Sequence, residues 1–197
     1  MDDTIMPTSH DRSFIPYPLG SDPKFEACLP DTLKQEGGYS NDAHDPGGMT
    51  MEGIIQREYD SKRKQWGEAT QWVKKISADE MRTIYYTDYW LPYSPLLPAG
   101  LDLEFFDLCV NGGQHRAIVT LQRALGISDD GQFGSQTMTA VTQLLAGGGD
   151  PNHAIESFKR EREAFYRSLG TFRFFGKDWI RRSEEIATEG EAMERPT

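Results

Sequence analysis

Residues 39–50 read YSNDAHDPGGMT, a turn-rich run with Asn, Asp, Pro and paired glycine packed into twelve positions. Helical signals flank it. Before it, Phe25, Leu29 and Leu33 repeat at i, i+4 and i+8, one face of a helix. Ser21 or Asp22 is placed to cap that helix, with Pro23 at its first position and Pro30 as a point of kinking or later start. Gly37-Gly38 closes it. The fold must therefore hold one helix end against an irregular insertion of tight turns and short extended segments.

Beyond the insertion the pattern returns to helix. Residues 51–60 have helical character, and 62–76 and 77–90 read as further helices. Ser77-Ala78-Asp79-Glu80 is a capping-box start. Pro92, Pro95 and Pro98 mark a connector and a soft boundary near residue 100. Leu103, Phe106 and Val110 open a new apolar stripe, and Ile118, Leu121 and Leu125 continue into a helix stopped by Gly126. Ser135 or Thr137 starts the next, Gly147-Gly148-Gly149 stops it, and residues 154–169 form a long charged and apolar helix. The chain divides into an N-terminal arm (1–20), a first lobe (21–102), a helical C-terminal lobe (103–185) and a frayed tail (186–197).

The formal net charge of -10 argues against a nucleic-acid partner, since phosphate binding needs clustered Lys and Arg. It also sits poorly with an anionic target. The charge is uneven: Lys159, Arg160, Arg162, Arg167, Arg173, Lys177, Arg181 and Arg182 lie late in the chain, read first as a solvated helix face. Cys28 and Cys109 read as buried free thiols, with a disulfide between them left open. Four histidines without ligand spacing offer no metal site, and no cofactor is expected. Residues 1–23 lack a secretory signal pattern and no run reaches membrane-spanning length. The expectation is synthesis in the cytoplasm, with any target outside it reached through a holin, a secretion system or lysis.

Glu36 is the residue that chemistry singles out. A carboxylate at a helix C-terminus meets the negative end of the helix dipole. That placement, with burial, favours the protonated carboxyl that a general acid requires. Asp45 lies nine positions on and Thr50 five beyond it, both in the insertion that follows the helix end. Two carboxyls and a hydroxyl are the equipment for cleaving a glycosidic bond.

Glu36-Gly37-Gly38-Tyr39, Asp42, Asp45-Pro46-Gly47-Gly48, Thr50 and Gly53-Ile54 together resemble the signature of glycoside hydrolase family 108, N-acetylmuramidases of phages and Gram-negative bacteria. The Glu–Asp–Thr order also resembles the catalytic triad of phage-type lysozymes, with one residue fewer between Asp45 and Thr50. Met49 and Met51-Glu52 depart from the small or polar residues usual in such loops. Asp107 to Gly113, then Leu121-Gln122, Leu125-Gly126, Asp130-Gly131 and Phe133-Gly134 resemble the family's C-terminal peptidoglycan-binding region. Phe165 to Leu169, with Phe175-Gly176, Trp179 and Arg181-Arg182, resembles its closing segment, so the likeness spans roughly residues 24–185.

The resemblance implies a mainly α, lysozyme-like, two-lobed helical fold with a short turn-rich or β-hairpin insertion after the first catalytic helix. It implies a muramidase acting on peptidoglycan glycan strands as a monomer, with Glu36 as acid and Asp45 and Thr50 assisting. A non-catalytic wall-binding protein and a lytic transglycosylase are the alternatives. Tyr39 either stacks on a sugar or packs against the loop, Gly48 lines the substrate path, and Asn111 either faces the sugar cleft or caps a helix. Segment 105–145 is favoured as an integral second lobe over a separable module. Trp66, Trp72, Trp90 and Trp179 are expected in packing roles.

Overall fold

The computed structural model describes Pro16, residues 22–36, 50–51 and 53–193. Two compact units emerge: one holds residues 1–18 and 37–84, the other 19–36 and 85–197. Tyr39, Asp45 and Gly48 lie outside the described residues, as does all of the N-terminal arm except Pro16.

In the first unit, strands β1 (Thr50–Met51) and β2 (Ile54–Ile55) form an antiparallel hairpin, with Thr50 opposite Ile55 and Met51 opposite Ile54. Gly53, between them, adopts φ 78°, a left-handed conformation that tight hairpin turns require. Helical character was expected from residue 51, but the strands claim 51–55 and helix α2 runs Gln56–Gln65. The expected helix over 62–76 is likewise interrupted. Gly67 turns at φ 75°, and only Val73–Lys75 returns to a single 3-10 turn.

Helix α3 (Ala78–Ile84) starts on the capping box read from sequence. The Glu80 N–H donates to Ser77 Oγ at 3.2 Å, and the Ser77 N–H donates to Glu80 Oε2 at 2.9 Å. Glu80 also accepts from the Tyr59 hydroxyl at 3.0 Å and pairs with Arg63. One buried carboxylate thereby ties α3 to α2.

The second unit is helical. Helix α1 (Pro23–Gln35) runs through Pro30, which is exposed. Asp22 is its N-cap, accepting from Lys24 N and Phe25 N, while its second oxygen accepts from Trp90 Nε1 at 2.8 Å. A π-helical stretch, Tyr85–Trp90, leads to the proline connector. Then follow α4 (Leu101–Gly112), α5 (Gln114–Ala124), α6 (Ser135–Gln143), α7 (Pro151–Ser168) and α8 (Phe172–Ala192). Helix α4 is buried along Leu101–Cys109, as an all-round buried stretch must be when α1, α5, α7 and α8 all pack on it. Both cysteines are free and buried in this core. Residues 186–192, expected to fray, are helical, and Ile186, Ala187 and Gly190 are buried.

Gly100, at φ 85°, precedes α4 and lies against the backbone of Gly190 in α8. A Cβ on Gly100 would sit 2.3 Å from the Gly190 carbonyl oxygen. Both the positive φ and the backbone contact exclude any side chain there. Gly100→Ala should cost about 2 kcal/mol or more, read as a lower urea midpoint with the same slope; an unchanged midpoint would refute the close approach.

Candidate active site

Glu36 is the residue at which α1 ends, with φ -84° and ψ 140°, and its N–H donates to Leu33 O. The helix end and the burial expected from sequence are both present: its side chain is 14% exposed. Its neighbour carries no local signal in the sequence. Arg182 Nη2 of α8 lies 2.7 Å from Glu36 Oε1. The contact is an ion pair out of hydrogen-bond alignment, and among the described residues no donor is aligned with that buried oxygen. Beside it, Gln35 Nε2 donates to Glu185 Oε2 at 2.7 Å, a second tie from the end of α1 to α8.

Arg182 is one member of a buried charge cluster. Its Nη2 and Nε donate to the two oxygens of Asp107 at 2.7 and 3.1 Å. Asp107 Oδ2 also accepts from Arg162 Nη2, and Arg162 Nη1 donates to Glu104 Oε2 at 3.1 Å. Arg162 Nε donates to the Tyr166 hydroxyl at 2.9 Å, which donates to Asn111 Oδ1 at 2.8 Å. Arg162 and Arg182, read from sequence as part of a solvated face, are thus buried, while Arg160, Arg167, Arg173, Lys177 and Arg181 do face solvent. Charge run alone does not distinguish these; a buried Arg is revealed only by the acids that α4 turns towards it.

Asn111 keeps an exposed position near the end of α4, but its side-chain oxygen is taken by Tyr166. It is not the helix cap; Gly113, at φ 83°, is. Thr50 is placed by its backbone in β1. Trp90 is fully buried, Trp66 and Trp179 are half-buried, and Trp72 is 63% exposed, against its expected packing role. Among the described residues no group of three or more His, Cys, Asp or Glu is arranged to hold a metal, and no helix is long and apolar enough to cross a membrane. An apolar cavity of about 630 Å³ lies between the starts of α1, α4 and α7, lined by Ala27, Cys28, Leu97 and Leu144 and away from Glu36.

The cluster sets two protonation states apart. Burial works against charge on Asp107, but Arg162 and Arg182 outweigh it and hold its carboxyl below the usual range. Burial pushes Glu104 up to about 7, with Arg162 opposing and Asp107 adding to the rise. Glu104 Oε1 has no hydrogen-bond partner among the described residues. The folded protein then holds a proton that the unfolded chain releases near the ordinary value of 4.5. Stability from Glu104 is full below that value and is lost as pH rises towards 7. Glu104→Gln should therefore gain on the wild type in melting temperature between pH 4.5 and 7.5; parallel curves would refute the shift. Asp107→Asn, which leaves two buried guanidinium groups short of their shared carboxylate, should cost about 3–5 kcal/mol in chemical denaturation.

Known proteins resemble the chain in both of its parts. The family model for glycosyl hydrolase 108 matches residues 29–113, and a predicted peptidoglycan domain matches residues 116–184. No curated protein sequence matches the chain. Among solved structures, that of Brucella abortus SagA is similar at a TM-score of 0.73 and 30% identity, over 88% of this chain and 97% of that one. Glu36 and Asp107 fall within the hydrolase match, Arg162 and Arg182 within the peptidoglycan match. With a related structure matched over nearly its whole length and both regions present in order, the chain belongs to glycoside hydrolase family 108 and is a peptidoglycan hydrolase.

Proposed function

We propose that the protein is an N-acetylmuramidase that hydrolyses the β-1,4 bond between N-acetylmuramic acid and N-acetylglucosamine, with Glu36 as general acid. The observation that carries this reading is the placement of Glu36. It is a largely buried carboxyl at the end of α1, in the stretch that leads into the turn-rich segment. Glu36 donates its proton to the glycosidic oxygen as the bond breaks. Asp45 stays ionised and either orients the attacking water or stabilises the oxocarbenium-like transition state, and Thr50 helps to hold the water. Water supplies the hydroxyl to the new muramic-acid end and the proton that restores Glu36. The substrate places this action at the cell wall, and the enzyme works as a monomer.

The test is digestion of purified Gram-negative peptidoglycan, with products reduced and weighed. The wild type should release reducible muramic-acid ends and Glu36→Gln none, with fold and wall binding retained. Asp45→Asn should be severely impaired and Thr50→Ala less so. Products lighter by one water would identify a lytic transglycosylase instead. No products from a folded, wall-bound wild type would leave a binding protein.

A further inference from the structure

Phe174 and Phe175, in the first turn of α8, are 66% and 53% exposed. Two adjacent benzyl groups in water contribute nothing to the core, and such apolar exposure marks an interaction surface. They do not stand alone. The Phe174 and Phe175 centroids are 6.3 Å apart, Phe175 and Trp179 5.8 Å, and Trp179 and Tyr166 5.4 Å. The result is a row of rings that runs from solvent to the buried Tyr166.

Cations flank this row. The Arg173 guanidinium lies 4.5 Å above the Phe174 ring, and Lys177 is exposed one turn beyond Arg173. Asp178 is also exposed here, and Arg167 is partly neutralised by Glu163 at 3.0 Å. In a chain of net charge -10, a pair of cations beside bare aromatic rings is a local reversal of sign. The row has a direction as well. Phe175, Trp179 and Arg182 fall at i, i+4 and i+7, one face of α8. Seven residues rise by about 10 Å, and at the far end Arg182 touches Glu36.

We propose that Phe174, Phe175 and Trp179, with Arg173 and Lys177, form the surface on which the glycan strand of peptidoglycan is held. The faces of its N-acetyl sugars stack on the rings, and the carboxylates of its stem peptides pair with the two cations. The assignment rests on the reading of the chain as a peptidoglycan hydrolase and says where on the second unit the polymer lies. Two features favour a strand over a lipid surface. The row is one ring wide, and it leads towards Glu36 rather than spreading over a face. Two phenylalanines also fall far short of the roughly 800 Å² per partner of a stable dimer.

The test uses the Glu36→Gln protein, so that the polymer stays intact, and measures co-sedimentation with purified Gram-negative sacculi. Phe174→Ala/Phe175→Ala should weaken binding about tenfold or more with an unchanged melting temperature. Arg173→Gln/Lys177→Gln should weaken it and flatten its dependence on salt. Undiminished sacculus binding in both variants overturns the proposal. So does binding to phosphatidylglycerol vesicles, or self-association on gel filtration, that the aromatic variant loses while its sacculus binding persists. The catalytic reading fails separately: a wild type that yields no products, but whose sacculus binding still depends on Phe174 and Phe175, refutes the muramidase and keeps this surface.

Discussion

Asp107 receives two guanidinium groups on one buried carboxylate, and the second unit is organised around that fact. Arg162 reaches it from α7 and Arg182 from α8, while Asp107 itself sits mid-way along the buried helix α4. Three helices are thereby fixed in register by charge rather than by shape alone. Buried ion pairs add little net stability, because desolvation offsets most of the attraction. Their effect is on specificity: a one-turn slip of α7 or α8 would leave charges without partners. The cluster holds three carboxyl groups, on Glu36, Glu104 and Asp107, against two guanidinium groups. One carboxyl is in excess, and full burial places that excess on Glu104.

The two matched regions meet at this cluster. Glu36, Glu104 and Asp107 belong to the hydrolase match, and both arginines belong to the peptidoglycan match. Helix α1 packs on α4 and α8, so the compact units do not follow the order of the chain. What reads along the sequence as an enzyme followed by a binding region is, in the second unit, one helical body.

Much of this was legible in the residues. Asp22 before Pro23 and Ser77 three before Glu80 each carry a local signal with a local cause, and each helix begins where they place it. The hairpin was legible only as an alternative, since strands of two residues carry no periodicity to read. Residues 66–72 misled because Gly67 overrides the helical propensity around it. Glu36 could be picked out from its neighbours in sequence, but Arg182 could not: nothing local separates it from Arg181, which points to solvent. Trp72 shows the same limit from the other side, an indole left exposed where composition predicts packing.

The tie between Gln35 and Glu185 spans 150 positions, and the Glu36–Arg182 contact is of the same kind. A ribosome adds roughly 5–20 residues per second. For on the order of ten seconds or more, the nascent chain carries Glu36 with neither its counter-ion nor the helix that fixes it. Helices α1 and α8 must therefore both be present before the carboxyl is set in place. An unfinished chain therefore carries the end of α1 without the two residues of α8 that hold it, so this corner of the fold closes last.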